Sequence, residues 1–132
     1  MAPVAIPIET EGDIVTARQR GRAIAAEMGF RATDQTLIAT AISEIARNIV
    51  SYAVRGEIVI DVLRTASRTG IRVVATDEGP GIPDLDLAFR DGYSTGNSLG
   101  MGLPGARRLM DELEVQSTPG VGTTVTMKKW IV

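Results

Sequence analysis

The chain has 132 residues, of which 44% are hydrophobic and 23% charged, proportions that exclude a disordered, collagenous or coiled-coil chain. Its 14 Lys and Arg against 16 Asp and Glu leave a net charge of −2, without the clustered positive excess of a nucleic-acid footprint. It contains neither cysteine nor histidine, which removes disulfides, zinc fingers, thiol nucleophiles, Ser-His-Asp triads and phosphorylation of a histidine of its own.

No run approaches the ~20 apolar residues of a membrane helix. The opening Met1-Ala2-Pro3-Val4 lacks the basic start of a signal peptide and meets Glu9 too early for one. The expectation is a single cytoplasmic domain over residues 1–132, with no membrane and no nucleic acid among its partners.

In chain order, Val4, Ile6 and Ile8 alternate as a short strand, and the flanking Pro3 and Pro7 suit a sheet edge. From residue 13 to 28, Ile14, Ala17, Gly21, Ile24, Ala25 and Met28 form a helical stripe closed by Gly29. A second helix starts near Thr33 or Asp34, either able to cap it, and runs to about Ala53 over a core stripe of Ile38, Ile42, Ile45 and Ile49. Residues 57–63 and 71–77 are two strands joined by a polar turn. The stretch from Glu78 to Gly105 holds seven of the 14 glycines and three of the six prolines. A third helix over residues 103–112 leads to a closing hairpin, residues 113–117 and 123–130 around Thr118-Pro119-Gly120-Val121-Gly122. No repeat or linker interrupts the series. The elements predict an α+β, two-layer sandwich with helices on one face of a mixed, mostly antiparallel sheet.

Three places carry candidate chemistry. Glu44 and Asn48 stand at i, i+4 on the second helix, beside its isoleucine stripe, where a polar pair can line a cleft. A solvated pair at a helix edge has the same spacing. Asp77-Glu78-Gly79-Pro80-Gly81-Ile82 follows a strand, so the aspartate can accept a hydrogen bond from an amino group while the glycines let a flat ligand approach. A tight Gly-Pro turn reads the same way. Ser98-Leu99-Gly100-Met101-Gly102-Leu103 enters a helix, whose first amides suit phosphate, but it matches neither the Walker nor the dinucleotide pattern.

With the late Gly122-Thr123-Thr124, these elements occur in an order that resembles the ATP-binding domain of type II topoisomerases, heat-shock chaperones of the 90 class, mismatch-repair ATPases and histidine kinases. Glu44-Ile45-Ala46-Arg47-Asn48 resembles its N box, residues 77–81 its first glycine box and Gly100-Met101-Gly102-Leu103 its second. Ala17-Arg18-Gln19, Thr40-Ala41-Ile42-Ser43-Glu44, Asp91-Gly92-Tyr93-Ser94-Thr95, Gly102-Leu103-Pro104-Gly105, Arg108-Leu109-Met110-Asp111-Glu112 and the closing Lys129-Trp130 are similar to the serine/threonine switch kinases of stressosomes. The anti-sigma factor kinases are the nearest confusable group.

The resemblance implies the histidine kinase-like (Bergerat) fold, ATP or ADP with Mg²⁺ as cofactors, and phosphoryl transfer to protein Ser or Thr. It implies Glu44 as general base and Asn48 as a ligand of Mg²⁺ and nucleotide. It puts Asp77 at the adenine with Gly79 and Gly81 giving it room, Thr123 or Thr124 nearby, and Ile82 among the nucleotide-binding residues. Residues 92–102 become a lid, with Gly100, Met101 and Gly102 cradling the phosphates and Gly92, Ser94 and Leu103 also binding nucleotide. No Lys or Arg lies between Asp91 and Ala106, so backbone amides and Mg²⁺ carry most of the phosphate charge, helped by Arg47 or by a residue from the partner, unless Arg47 is only a surface arginine. With no histidine to accept it, the phosphoryl group goes to a partner or to water. The resemblance implies STAS-domain proteins (stressosome scaffold and antagonist) as acceptors and a PP2C-type phosphatase downstream. An anti-sigma factor and a non-catalytic nucleotide-binding adaptor are the alternatives.

Overall fold

The computed structural model describes residues 2–53, 55–79 and 102–132. Strand β1 (Val4–Ile8) leads into helices α1 (Glu11–Met28) and α2 (Ala32–Tyr52), and the hairpin β2 (Gly56–Arg64) and β3 (Thr69–Asp77) follows. Helix α3 (Gly102–Leu109) then precedes the second hairpin, β4 (Glu112–Thr118) and β5 (Gly122–Trp130).

The strands form one five-stranded sheet in the order β1-β2-β3-β5-β4, and every pairing among the described residues is antiparallel, so the expected parallel component is not found there. β1 lies at an edge, as its prolines predict. Alternation along the strands sorts the two faces. Ile6, Ile8, Ile58, Ile60, Ile71, Val73, Ala75, Val125 and Met127 are buried beneath the helices. On the opposite face Arg72 donates from Nη2 to Asp61 Oδ2 at 2.9 Å across directly paired positions. Ile38, Ile42, Ile45 and Ile49 of α2 are all buried and complete the core with Ile14, Ala17, Ile24 and Ala25 of α1. Helix α2 packs along both α1 and α3, so it is the central helix of its layer.

The helix ends have local causes. At the start of α1 the Asp13 carboxylate accepts from the amides of Glu9 and Thr10, at 2.8 and 3.0 Å, and those bonds hold its pKa below the ordinary value. Gly29 ends the helix at φ 96°. Helix α2 differs from expectation at its start. It begins at Ala32 behind Arg31, without a side-chain cap, while Thr33 and Asp34 lie inside the first turn. Buried Phe30 fixes the entry, and Gln35 Nε2 donates to its carbonyl at 2.8 Å. Helix α3 is shorter than the expected 103–112. By Asp111 the backbone has already joined the sheet, its amide donating to the Lys128 carbonyl at 3.0 Å.

Candidate functional site

Two elements meet where β3 ends. The last turn of α2 comes down on Gly56 and Gly79: a Cβ on Gly79 would lie 2.8 Å from Ala53 Cβ, and one on Gly56 would lie 2.9 Å from Ile49 Cγ2 and 3.1 Å from Asp77 Cβ. The space a Cβ on Gly79 would need is therefore taken by Ala53, the residue that follows α2. Asp77 is half-buried, and its Oδ1 accepts from the Gly79 amide at 2.8 Å, an Asx turn that fixes the carboxylate at the strand end. Its Oδ2 has no partner among the described residues.

Register brings β5 to the same point. Thr123 is the antiparallel partner of Asp77, and Thr124 that of Thr76. Thr123 is buried on the helix-facing side with Val125 and Met127, and its Oγ1 lies 2.9 Å from Ser117 Oγ of β4. Thr124 points to the opposite face with Thr76, Val74 and Arg72, by the strand alternation. The structure thus separates the two threonines that sequence left undivided. The signal was present: Thr123 shares parity with Val125 and Met127. Gly122, at φ 152°, runs so close that a Cβ there would fall on the Asp77 carbonyl oxygen, which ties the β4–β5 turn to the aspartate.

Asn48 stands somewhat over one turn before Ala53, and Glu44 one turn earlier, about 6 Å further along the axis. Both are half-buried, on the flank of α2 next to buried Ala41 and Ile45. Burial pushes the Glu44 carboxyl above the ordinary glutamate value, and the Arg47 guanidinium one turn away opposes that rise in part. A carboxylate poorly solvated at neutral pH is more basic than a free one, the property a general base needs. Arg47 is also half-buried on this helix.

Gly102 opens α3, and the Leu103 side chain is buried in the core, so Leu103 anchors the helix while its backbone belongs to the first turn. Gly81, Ile82, Gly92, Ser94, Gly100 and Met101 lie outside the described residues. Among the described residues no three Asp or Glu gather into a metal-binding cluster. The hard-oxygen donor available beside Glu44 is the Asn48 amide, which suits Mg²⁺ shared with phosphates, since that ion uses few protein oxygens there. A carboxylate oxygen such as Asp77 Oδ2 suits an exocyclic amine. The described residues fit a Mg-nucleotide. Sequence reasoning missed the packing of Ala53 on Gly79, which no local pattern announces because the two meet only through tertiary contact.

Comparison with known proteins identifies the family. The family profile of the histidine kinase-like ATPase domain matches residues 6–129. The chain is 49% identical, over 96% of its length and 95% of the relative's, to the serine/threonine-protein kinase RsbT of Bacillus subtilis (strain 168). It is 38% identical to the anti-sigma F factor of Thermoanaerobacter sp. (strain X514), over 71% of this chain and 68% of that one. Among solved structures, the RsbU and RsbW domains of Rv1364c from Mycobacterium tuberculosis align with a TM-score of 0.70 at 22% identity, over 98% of this chain and 32% of that one. The mycobacterial sensor histidine kinase MprB aligns at 0.60 and 16% identity, over 98% and 96% of the two chains. These two structures share the fold.

Proposed function

The chain belongs to the histidine kinase-like ATPase family, as one of its serine/threonine-protein kinases, and from that premise we propose that it is the cytoplasmic switch kinase of a stressosome. Its substrates are then Ser or Thr hydroxyls of STAS-domain proteins, the scaffold and its antagonist, and its release activates a PP2C-type phosphatase. The observation that carries the reading is the half-buried Glu44, raised in basicity one helical turn from the Asn48 amide, on the helix whose last turn packs on Gly56 beside Asp77.

When bound, Mg²⁺ and ATP supply the transferable phosphoryl group and neutralise its charge. The chain's own residues do the rest. Glu44 as carboxylate takes the proton of the acceptor hydroxyl. Asn48 would hold the metal through its side-chain amide. Asp77 Oδ2 accepts from the adenine amine, while the Gly79 amide keeps the carboxylate turned to it. Thr123 would border the base, and the first amides of α3, which begins at Gly102, would meet phosphate. Gly81, Ile82, Gly92, Ser94, Gly100 and Met101 complete the pocket in this reading, with Arg47 available to the phosphates. Thr124, on the far face, takes no part.

The test is incubation with γ-labelled ATP, Mg²⁺ and purified STAS domains, with mapping of the modified residue. Glu44→Ala and Asn48→Ala are each expected to lower transfer by at least 100-fold while the circular dichroism spectrum is kept. Undiminished transfer by both variants would overturn the assignment. The anti-sigma F relatives favour a second reading, in which the chain occludes a sigma factor. Tight capture of a sigma factor with no labelling of STAS domains would put that reading first.

A further inference from the structure

The closing Lys129-Trp130 pair has no part in the site, yet Lys129 is one of only three buried polar or charged side chains among the described residues. It occupies a core-facing position of β5, on the same side as Val125 and Met127, where an apolar residue continues the pattern. Its Nζ donates to the Leu109 carbonyl at 3.0 Å and lies 3.7 Å from Asp111 Oδ1. Leu109 is the last residue of α3, so a buried cation sits at the negative end of the helix whose first residue is Gly102.

The surrounding bonds converge on the same junction. Asp111 Oδ2 accepts from the Trp130 amide at 2.8 Å, and the Trp130 indole donates to Glu112 Oε2 at 2.8 Å. The Arg68 guanidinium lies over the indole, 4.0 Å from its centroid. The C-terminal end of a short helix is thereby tied to two strands and a turn. A helix of 8 residues has little cohesion of its own, so its position is set by what holds it.

We propose that Lys129 is a positioning residue for nucleotide binding. Through Leu109 and Asp111 it fixes α3 against the sheet, and so fixes the helix start that meets the phosphates. This rests on the nucleotide site proposed above.

The test measures two quantities on Lys129→Met, Lys129→Arg and Asp111→Asn proteins: the Kd of a fluorescent ADP analogue with Mg²⁺, and amide hydrogen exchange of residues 103–109 in the nucleotide-free protein. Lys129→Met is expected to speed exchange in α3 about tenfold or more, with β2 and β3 unchanged, and to raise Kd about tenfold, because a positioning element has been loosened. Lys129→Arg restores most of both. Asp111→Asn, an exposed change that keeps the lysine, shifts both in the same direction by less, and decides the matter if Lys129→Met does not fold. Unchanged Kd with α3 loosened, or no change in α3, overturns the proposal. Failure of the wild-type protein to bind the analogue overturns the nucleotide site itself, and the positioning role with it.

Discussion

Glu44 pays for its position in the solvation of its charged form, and that cost makes a pH signature. Its folded pKa is raised, so the folded state favours the protonated carboxyl, and stability from this group is present at low pH and lost as pH rises through that value. Glu44→Gln is therefore expected to have a higher Tm than wild type at pH 7 and the same Tm below the ordinary glutamate range. Thermal melts at the two pH values check it. The acid limb of the transfer rate is expected to lie above the ordinary glutamate pKa, since the base must be ionised. The spacing of Glu44 and Asn48 was legible in sequence because helix geometry is local. Telling the faces of Thr123 and Thr124 apart needed the strand's burial pattern, and the packing of Ala53 on Gly79 needed the fold.

At the scale of elements, the β4–β5 turn offers a controlled comparison. Gly120 and Gly122 both have positive φ, 81° and 152°, but open space surrounds the first while the second abuts the Asp77 carbonyl. Gly120→Ala is expected to cost about 1 kcal/mol, the backbone term alone. Gly122→Ala is expected to cost about 2–4 kcal/mol and to weaken nucleotide binding as well, because Asp77 must shift. Urea titrations and a nucleotide Kd on the two variants separate these outcomes. Strands and helices were readable from period and punctuation, including the prolines that mark β1 as an edge. Their ends were less so: Thr33 and Asp34 are good capping residues by type, but burial of Phe30 sets the start of α2, and the pull of Lys128 and Lys129 on residues 109–111 shortens α3.

For the molecule as a whole, the two layers meet around Ile42, which is fully buried. A Cβ on Gly21 of α1 would press on Ile42 and lie 3.7 Å from Ile60 Cδ1 of β2, so at this point the two helices and the sheet share one contact. Ile42→Ala is expected to cost about 2–5 kcal/mol in urea unfolding, a large share of the ~5–15 kcal/mol such a domain has, with m unchanged. The layered architecture was legible in sequence. The neighbour order was not, since alternation fixes which side of a strand is buried but not which strand lies beside it. That order has a consequence for biosynthesis. β5 is translated after the other four strands yet inserts between β3 and β4. A ribosome-tethered chain that has emerged only as far as residue 121 therefore carries β3 as a bare hydrogen-bonding rim, open to chaperones or to another nascent chain until residues 122–130 arrive.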